Sequence, residues 1–312
     1  MSSNIVYSLM LDNSENLWIG TADGLNILNK NINNSDGYSF LHFKSASSND
    51  SSLSENTVRV IYQDSKQNIW VGTDKGLNKV LRNSQNDIIG FKKFLNDNRN
   101  INSISHNQVY AISEDNSGNL WIGTNGGGLN IFDADDNSFT RYVHDPLDTR
   151  SLSYNEIRAV FRDKSGTMWI GTYGSGIDKV SRGAGEFILY KYRPNDNNSL
   201  SHPIVWAIYE DNNGILWIGT HGGGLNKLDR KRNNYEYFRH NPNNKNSLSN
   251  DIVRVIYKDR EGYLWLGTHG GGINRFNPVT NEFIVYQHDP GNPNSLALDE
   301  IRDIYEDSKG NF

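Results

Sequence analysis

The chain alternates short apolar clusters with short polar stretches, and neither kind lasts long. Residues 109–115 (Val-Tyr-Ala-Ile-Ser-Glu-Asp) form a strand-like run, residues 116–119 with Gly118 form a turn, and Leu120-Trp-Ile-Gly-Thr124 forms a second strand. Gly126, Gly127 and Gly128 turn the chain into Leu129-Asn-Ile-Phe132, and polar residues 133–138 lead to a fourth strand, Phe139-Thr-Arg-Tyr-Val143. His144-Asp-Pro146 then opens a long polar loop that ends in Ser151-Leu-Ser153. Runs of about five residues, with glycine turns every eight to twelve, predict β-strands; no segment sustains a 3.6-residue period.

This four-strand unit recurs. Trp-[Ile/Val/Leu]-Gly-Thr begins at Trp18, Trp70, Trp121, Trp169, Trp217 and Trp265, in steps of 52, 51, 48, 48 and 48 residues. Ser-[Leu/Ile]-[Ser/Ala] keeps the same step from Ser52 through Ser103, Ser151, Ser199 and Ser247 to Ser295. Four strands in about 48 residues is the arithmetic of a β-propeller blade, whose two faces are both covered by neighbours, so that Val109, Ala111 and Ile112 can all be apolar. The expected fold is all-β: one β-propeller domain over residues 1–312, with repeats near 4–55, 56–106, 107–154, 155–202, 203–250 and 251–298 and a partial repeat at 299–312. The first strand of each blade should lie innermost. The Ser-Leu-Ser loops and triple-glycine turns should share one face, and the Asp-x-x-Gly turns the other.

Residues 301–307 read as the first strand of a seventh blade. A closed six-bladed wheel has no slot for it, and a seven-bladed wheel would need roughly 36 further residues. The expectation is a piece of a seven-bladed array, with a six-bladed wheel as the alternative and an open seam whose strand edges invite association.

Composition narrows the function classes. Aromatics make up 11% of the chain and charged residues 21%, which excludes a disordered, highly charged segment. A net charge of −5, from 31 basic and 36 acidic residues, gives no basic footprint for nucleic acid or for an anionic membrane. No apolar run approaches the ~20 residues of a membrane span. The absence of cysteine excludes disulfides, thiolate catalysis and Cys-based metal sites. Met-Ser-Ser-Asn at the start is no signal peptide, so an export signal would lie outside this sequence.

Aligning the first strands brings out one column: Tyr7, Arg59, Tyr110, Arg158, Trp206, Arg254 and Arg302. Arginine forks alternating with aromatic rings suit a polar, planar ligand, the forks binding carboxylate, sulfate or hydroxyls and the rings stacking on sugar faces. In the competing reading each arginine pairs with an acid of the adjacent unit, such as Glu156, Asp251 or Glu300. His221 and His269 share a turn position with Tyr173 and Asn125, where two histidines could bind a metal or act as acid and base. No third ligand recurs in that column, so no metal site is assigned. The repeated tryptophans read as blade-to-blade packing, with the following glycine letting backbones approach. Asp12, Asp64, Asp115, Asp163, Asp211, Asp259 and Asp307 each open a turn that they cap. No catalytic residue and no cofactor is assigned.

The consensus Asn-x-[Val/Ile]-x-x-Ile-x-x-Asp-x-x-Gly-x-Leu-Trp-Ile-Gly-Thr-x-Gly-Gly-Gly-Leu-Asn, followed by Phe-x-x-Tyr-x-His-Asp-Pro, resembles the two-component regulator propeller repeat. Residues 119–130 and 214–226 match it nearly without gaps, whereas Thr21-Ala-Asp-Gly24 and Thr73-Asp-Lys-Gly76 are one residue short. The resemblance implies the periplasmic or extracellular sensor of a hybrid histidine kinase, of the kind with which gut Bacteroidetes sense oligosaccharides. It implies a ligand-binding or dimer-forming role, with no kinase, receiver or DNA-binding part in this chain. Two rivals stand beside it. Streptogramin lyases are similar propellers, but their Trp is followed by Phe-Thr-Glu rather than Ile-Gly-Thr, and propeller glycosidases need two carboxylates about 5–10 Å apart, a pair not singled out here. The other rival is a protein-interaction platform for a partner or for a second copy.

Overall fold

A computed structural model describes residues 1–30, 38–134, 136–180, 186–307 and 309–312. Its strands fall into six antiparallel sheets of four, each built from strands consecutive in the chain. Blade 1 holds Val6–Leu11, Leu17–Thr21, Gly24–Lys30 and Tyr38–Phe43; blade 2 holds Val58–Gln63, Ile69–Thr73, Gly76–Arg82 and Ile88–Phe94; blade 3 holds Val109–Glu114, Leu120–Thr124, Leu129–Asp133 and Ser138–Tyr142. Blade 4 holds Ile157–Arg162, Met168–Thr172, Ile177–Val180 and Phe187–Tyr190; blade 5 holds Val205–Glu210, Ile215–Thr220, Leu225–Asp229 and Asn234–Phe238; blade 6 holds Val253–Lys258, Leu264–Thr268, Ile273–Asn277 and Glu282–Tyr286. No helix occurs among the described residues, and the fold is that of a β-propeller. The chain divides into two compact units, residues 1–144 with 155–160, and residues 145–154 with 161–312.

The repeated motif builds each blade the same way. The carboxylate of every turn aspartate accepts the backbone N–H four residues on, and in most blades also that two residues on, as Asp12 does from Asn16 and Ser14. Its second oxygen accepts the indole N–H of the tryptophan six residues ahead: Trp18 to Asp12 at 2.8 Å, Trp70 to Asp64 at 2.8 Å, Trp121 to Asp115 at 3.0 Å, Trp169 to Asp163 at 3.0 Å, Trp217 to Asp211 at 3.1 Å and Trp265 to Asp259 at 2.7 Å. A buried indole needs an acceptor, and this one is local. The indole is thereby aimed at the next blade. Trp18 packs with Val58, Ile69 and Val80 of blade 2, Trp70 with Val109, Leu120 and Phe132 of blade 3, and Trp217 with Val253, Leu264 and Phe276 of blade 6.

The glycine of each Trp-Ile-Gly-Thr strand permits that contact. A Cβ on Gly72 would lie 2.7 Å from Val109 Cγ1, and one on Gly219 would lie 2.7 Å from the Val253 carbonyl oxygen. The asparagine after the glycine turn ties down the Ser-Leu-Ser loop. Asn130 Oδ1 accepts the Ser105 N–H at 2.8 Å while its Nδ2 donates to Ser105 Oγ, and Asn78, Asn226 and Asn274 repeat the arrangement with Ser54, Ser201 and Ser249. The loops and glycine turns therefore meet, as expected.

One expectation is corrected. Residues 301–307 are not a β-strand. They take the place that a first strand takes against its preceding blade: Ile301 Cγ2 stands 2.6 Å from where a Cβ on Gly267 would be, its N–H donates to the Thr268 carbonyl at 2.9 Å, and Ile304 is buried. What is lacking among the described residues is a second strand to pair with, and without a ladder an extended segment is not a sheet strand.

Candidate functional site

The column residues share a backbone feature that sequence periodicity does not show. In blades 1, 2, 3, 5 and 6 the pairing of first and second strands skips one residue: Val6 and Ser8, Val58 and Val60, Val109 and Ala111, Val205 and Ala207, and Val253 and Val255 face consecutive partners. Tyr7, Arg59, Tyr110, Trp206 and Arg254 are the extra residues of these β-bulges. A bulge frees its residue from the ladder and re-aims its side chain. Beside each bulge, the first turn residue after the Gly-Thr donates its N–H to the residue before the strand, as Asp74 does to Thr57, Asn125 to Gln108, His221 to Ile204 and His269 to Ile252. Bulge and turn residue are thus neighbours in every such blade, always 15 positions apart.

In the first unit the column is a stack of cations and rings. The Arg59 guanidinium lies 4.4 Å from the Tyr7 ring centroid and 5.6 Å from that of Tyr110, and the Arg158 guanidinium lies 4.1 Å from the Tyr110 ring centroid. Both cations carry carboxylates. Asp74 takes Arg59 Nε and Nη2 as a fork at 2.9 and 2.8 Å, and Glu156 accepts from Arg158 Nη2. Burial opposes the charge on Arg59, yet the Asp74 hydrogen bond and charge, aided by the two tyrosines, raise its pKa.

In the second unit the same positions carry different chemistry. The Trp206 indole N–H donates to His221 Nδ1 at 3.1 Å. The Tyr173 ring meets Trp206 edge-on at 5.9 Å, the His221 ring lies 5.9 Å from Trp206 and 6.5 Å from Tyr173, and the Arg254 guanidinium stands 5.2 Å from the Trp206 ring. His202 joins them with its ring 6.2 Å from that of His221. Glu300 faces three basic groups at once: Arg302 at 2.7 Å, His269 at 3.4 Å and Arg254 at 3.5 Å. Burial pushes the Glu300 carboxyl up, but the charges of Arg302, Arg254 and His269 outweigh it and the pKa is lowered. Burial also lowers His202 and His221.

Of the acids considered as arginine partners, Glu156 and Glu300 do pair. Asp251 does not: its carboxylate accepts the His240 N–H at 2.7 Å, and its carbonyl takes the N–H groups of Gly222 and Gly224. Asp74 and His202 were missed. The 15-residue spacing from Arg59 would have pointed to Asp74; the loop position of His202 is shared by His106, whose Nδ1 likewise accepts a backbone N–H two residues on, whereas Glu55, Tyr154 and Asn250 hold it in other repeats. The turn aspartates act as caps throughout. Among the described residues no group of three or more His, Cys, Asp or Glu side chains could hold a metal ion.

The repeat model of the two-component regulator propeller matches residues 1–23, 52–75, 103–126, 151–174, 199–222 and 247–270. No curated protein matches the chain. Among solved structures, the extracellular domain of BT3049 from B. thetaiotaomicron, described as a hybrid two-component system, superposes with a TM-score of 0.78 at 23% identity, covering 99% of this chain and 38% of that one. The extracellular domain of BT4673 from the same organism gives 0.51 at 27% identity, over 90% of this chain and 37% of that one. Virginiamycin B lyase from Staphylococcus aureus gives 0.63 at 15% identity, over 90% and 83%. This chain spans under two fifths of the length of the two extracellular domains, and a likeness at 15–23% identity shows the fold alone. Six matches in register with six four-stranded blades settle the family: the chain is an array of two-component regulator propeller repeats and belongs to that family.

Proposed function

We propose that this chain is a non-catalytic sensory propeller, part of a two-component receptor with the propeller outside the cytoplasm, and that it reads an oligosaccharide-like ligand. The likeness to extracellular domains of signalling systems supports the sensory role and the periplasmic or extracellular location. The observation that carries the ligand reading is the second-unit cluster, where Trp206, Tyr173 and His221 gather three half-buried rings beside the Arg254 fork. Rings offer faces to a sugar's C–H surface and the fork offers paired donors to hydroxyls or a carboxylate. Arg59, Tyr110 and Arg158 of the first unit belong to the same column, but both arginines there already hold carboxylates. Arg302 and His269 contribute through Glu300.

The test is a thermal-shift screen against neutral and anionic oligosaccharides. A ligand at 100 times its Kd stabilises by about 2.7 kcal/mol, which moves the melting point by several degrees. The shift should vanish in Trp206→Ala and Arg254→Ala and persist in Arg59→Ala. No shift from any glycan in the folded protein would refute the ligand reading.

A second reading, a platform for a partner protein or a second copy, is favoured by the fourth strands of blades 4 and 6. These expose Ile188 and Leu189, and Ile284 and Tyr286. Exposed apolar edge strands are association sites. Concentration-dependent dimer formation, abolished by Ile188→Lys and Ile284→Lys and untouched by Trp206→Ala, would support it.

A further inference from the structure

We infer that His221 is a proton-sensitive positioning residue for Trp206: in its neutral form it anchors the indole, and on gaining a proton it releases it. The anchoring hydrogen bond has only one polarity. An indole N–H can donate but never accept, so the His221 Nδ1 that it meets at 3.1 Å must present a lone pair. The proton of the neutral ring therefore sits on Nε2. Adding a proton places N–H against N–H, and the bond is lost.

The surroundings decide when this happens. From the preceding loop His202 faces the ring, and its own Nδ1 accepts the Ile204 N–H at 3.1 Å, so it too is neutral with Nε2 protonated. From the preceding glycine turn comes Tyr173, from the first strand of blade 6 comes Arg254, and from the next turn comes His269, whose carboxylate partner Glu300 is shared with Arg254 and Arg302. The groups acting electrostatically on His221 are basic. Burial, then the charges of His202, Arg254 and His269, hold the His221 pKa below the ordinary histidine range. At neutral pH the anchor is formed; below the ordinary range it opens, and the released indole no longer keeps its edge-on contact with Tyr173 or its place beside Arg254.

This regulates the site proposed above and rests on that reading only for its effect on ligand. The switch itself can be measured with no ligand present. The seven tryptophans give seven indole N–H resonances in a two-dimensional nitrogen–proton spectrum: six donate to turn aspartates and one to His221. Trp206→Phe identifies the seventh. Between pH 8 and pH 5 that resonance should shift alone, with a midpoint below about 6.5, the ordinary histidine value. In His221→Gln, which keeps an uncharged acceptor at the same turn, it should stay in place across the range. A Trp206 signal that does not titrate in the wild-type chain, or one that titrates equally in His221→Gln, overturns the assignment. If the ligand reading also holds, affinity for the glycan that shifts the melting point falls below this midpoint in the wild type but not in His221→Gln. Failure of that arm alone rejects the link to ligand and leaves the switch standing.

Discussion

The two units fill the same column with different chemistry. In the first, Tyr7, Arg59, Tyr110 and Arg158 alternate ring and cation, Asp74 holds the Arg59 fork, and Glu156 accepts from Arg158 Nη2. Each cation there has a carboxylate. In the second, Trp206 is anchored by a histidine, Arg254 meets Glu300 at 3.5 Å and the Trp206 ring at 5.2 Å, and Glu300 is divided among three basic groups. One backbone device can therefore carry a braced cation or a ring cluster, and the residue 15 positions later goes with the difference: an aspartate takes the Arg59 fork, and a histidine accepts the Trp206 indole N–H. A guanidinium forked onto a carboxylate has little left to give a ligand, because its best-directed donors are in use.

The frame common to both units should fail equally when broken. Trp70→Ala in the first unit and Trp217→Ala in the second should each cost about 3–5 kcal/mol in denaturant unfolding, since each leaves a cavity against the next blade. Unequal losses would show that the two units are not built alike. The brace should then separate from the proposed ligand site. Arg59→Ala removes a two-bond fork and should cost about 1–3 kcal/mol. Arg254→Ala, which gives up the Glu300 contact at 3.5 Å and the place beside the Trp206 ring, should cost less than Arg59→Ala, about 1 kcal/mol, while removing any ligand-induced shift.

Acid should act on the second unit first. His202 and His221 have lowered pKa values, so the unfolded chain binds protons at a higher pH than the native one does, and stability falls as pH drops below about 6.5. Melting points between pH 7 and pH 5 should decline, and His202→Gln with His221→Gln should flatten that limb. A further limb belongs to Asp163. Burial raises its carboxyl, but hydrogen bonds from Ser165 Oγ, the Trp169 indole, the Thr167 N–H and Arg230 bring it to about 2. Its contribution is complete above the ordinary aspartate range near 4 and is lost as pH falls toward 2. The smallest expected effect is that of Arg158→Lys, which exchanges a flat cation over Tyr110 for a point charge and should cost roughly 0.5–1 kcal/mol.

The blade was legible because its needs repeat. A tight turn, an indole and a close backbone approach recur together six times, and each demands its own residue type. The column was legible as an alignment, though not as a bulge, because an extra residue leaves no mark on a strand whose two faces are both apolar. Asp74 was concealed by variety, since its turn position holds Ala22, Asn125, Tyr173, His221 and His269 elsewhere. Asp251 misled for the opposite reason. An acid near the start of a first strand looks like an arginine partner, yet a loop N–H outcompetes the guanidinium for it. Residues 301–307 have the side chains of a first strand, but a strand is a relation between two segments, and the second is not among the described residues.

The bond from each turn aspartate to the indole six residues ahead also bears on how the chain reaches its fold. It closes a loop of only a few residues, and such loops form in well under a microsecond, long before distant segments meet. Every blade can therefore form its first hairpin unaided, with the tryptophan already held in the orientation in which its neighbour will find it. Assembly then consists of adding one prepared repeat to the last, each step confined to adjacent repeats. A topology built from contacts between near neighbours in sequence folds quickly for its length, and the aspartate, by fixing the indole early, leaves the docking of the next blade as the slower step.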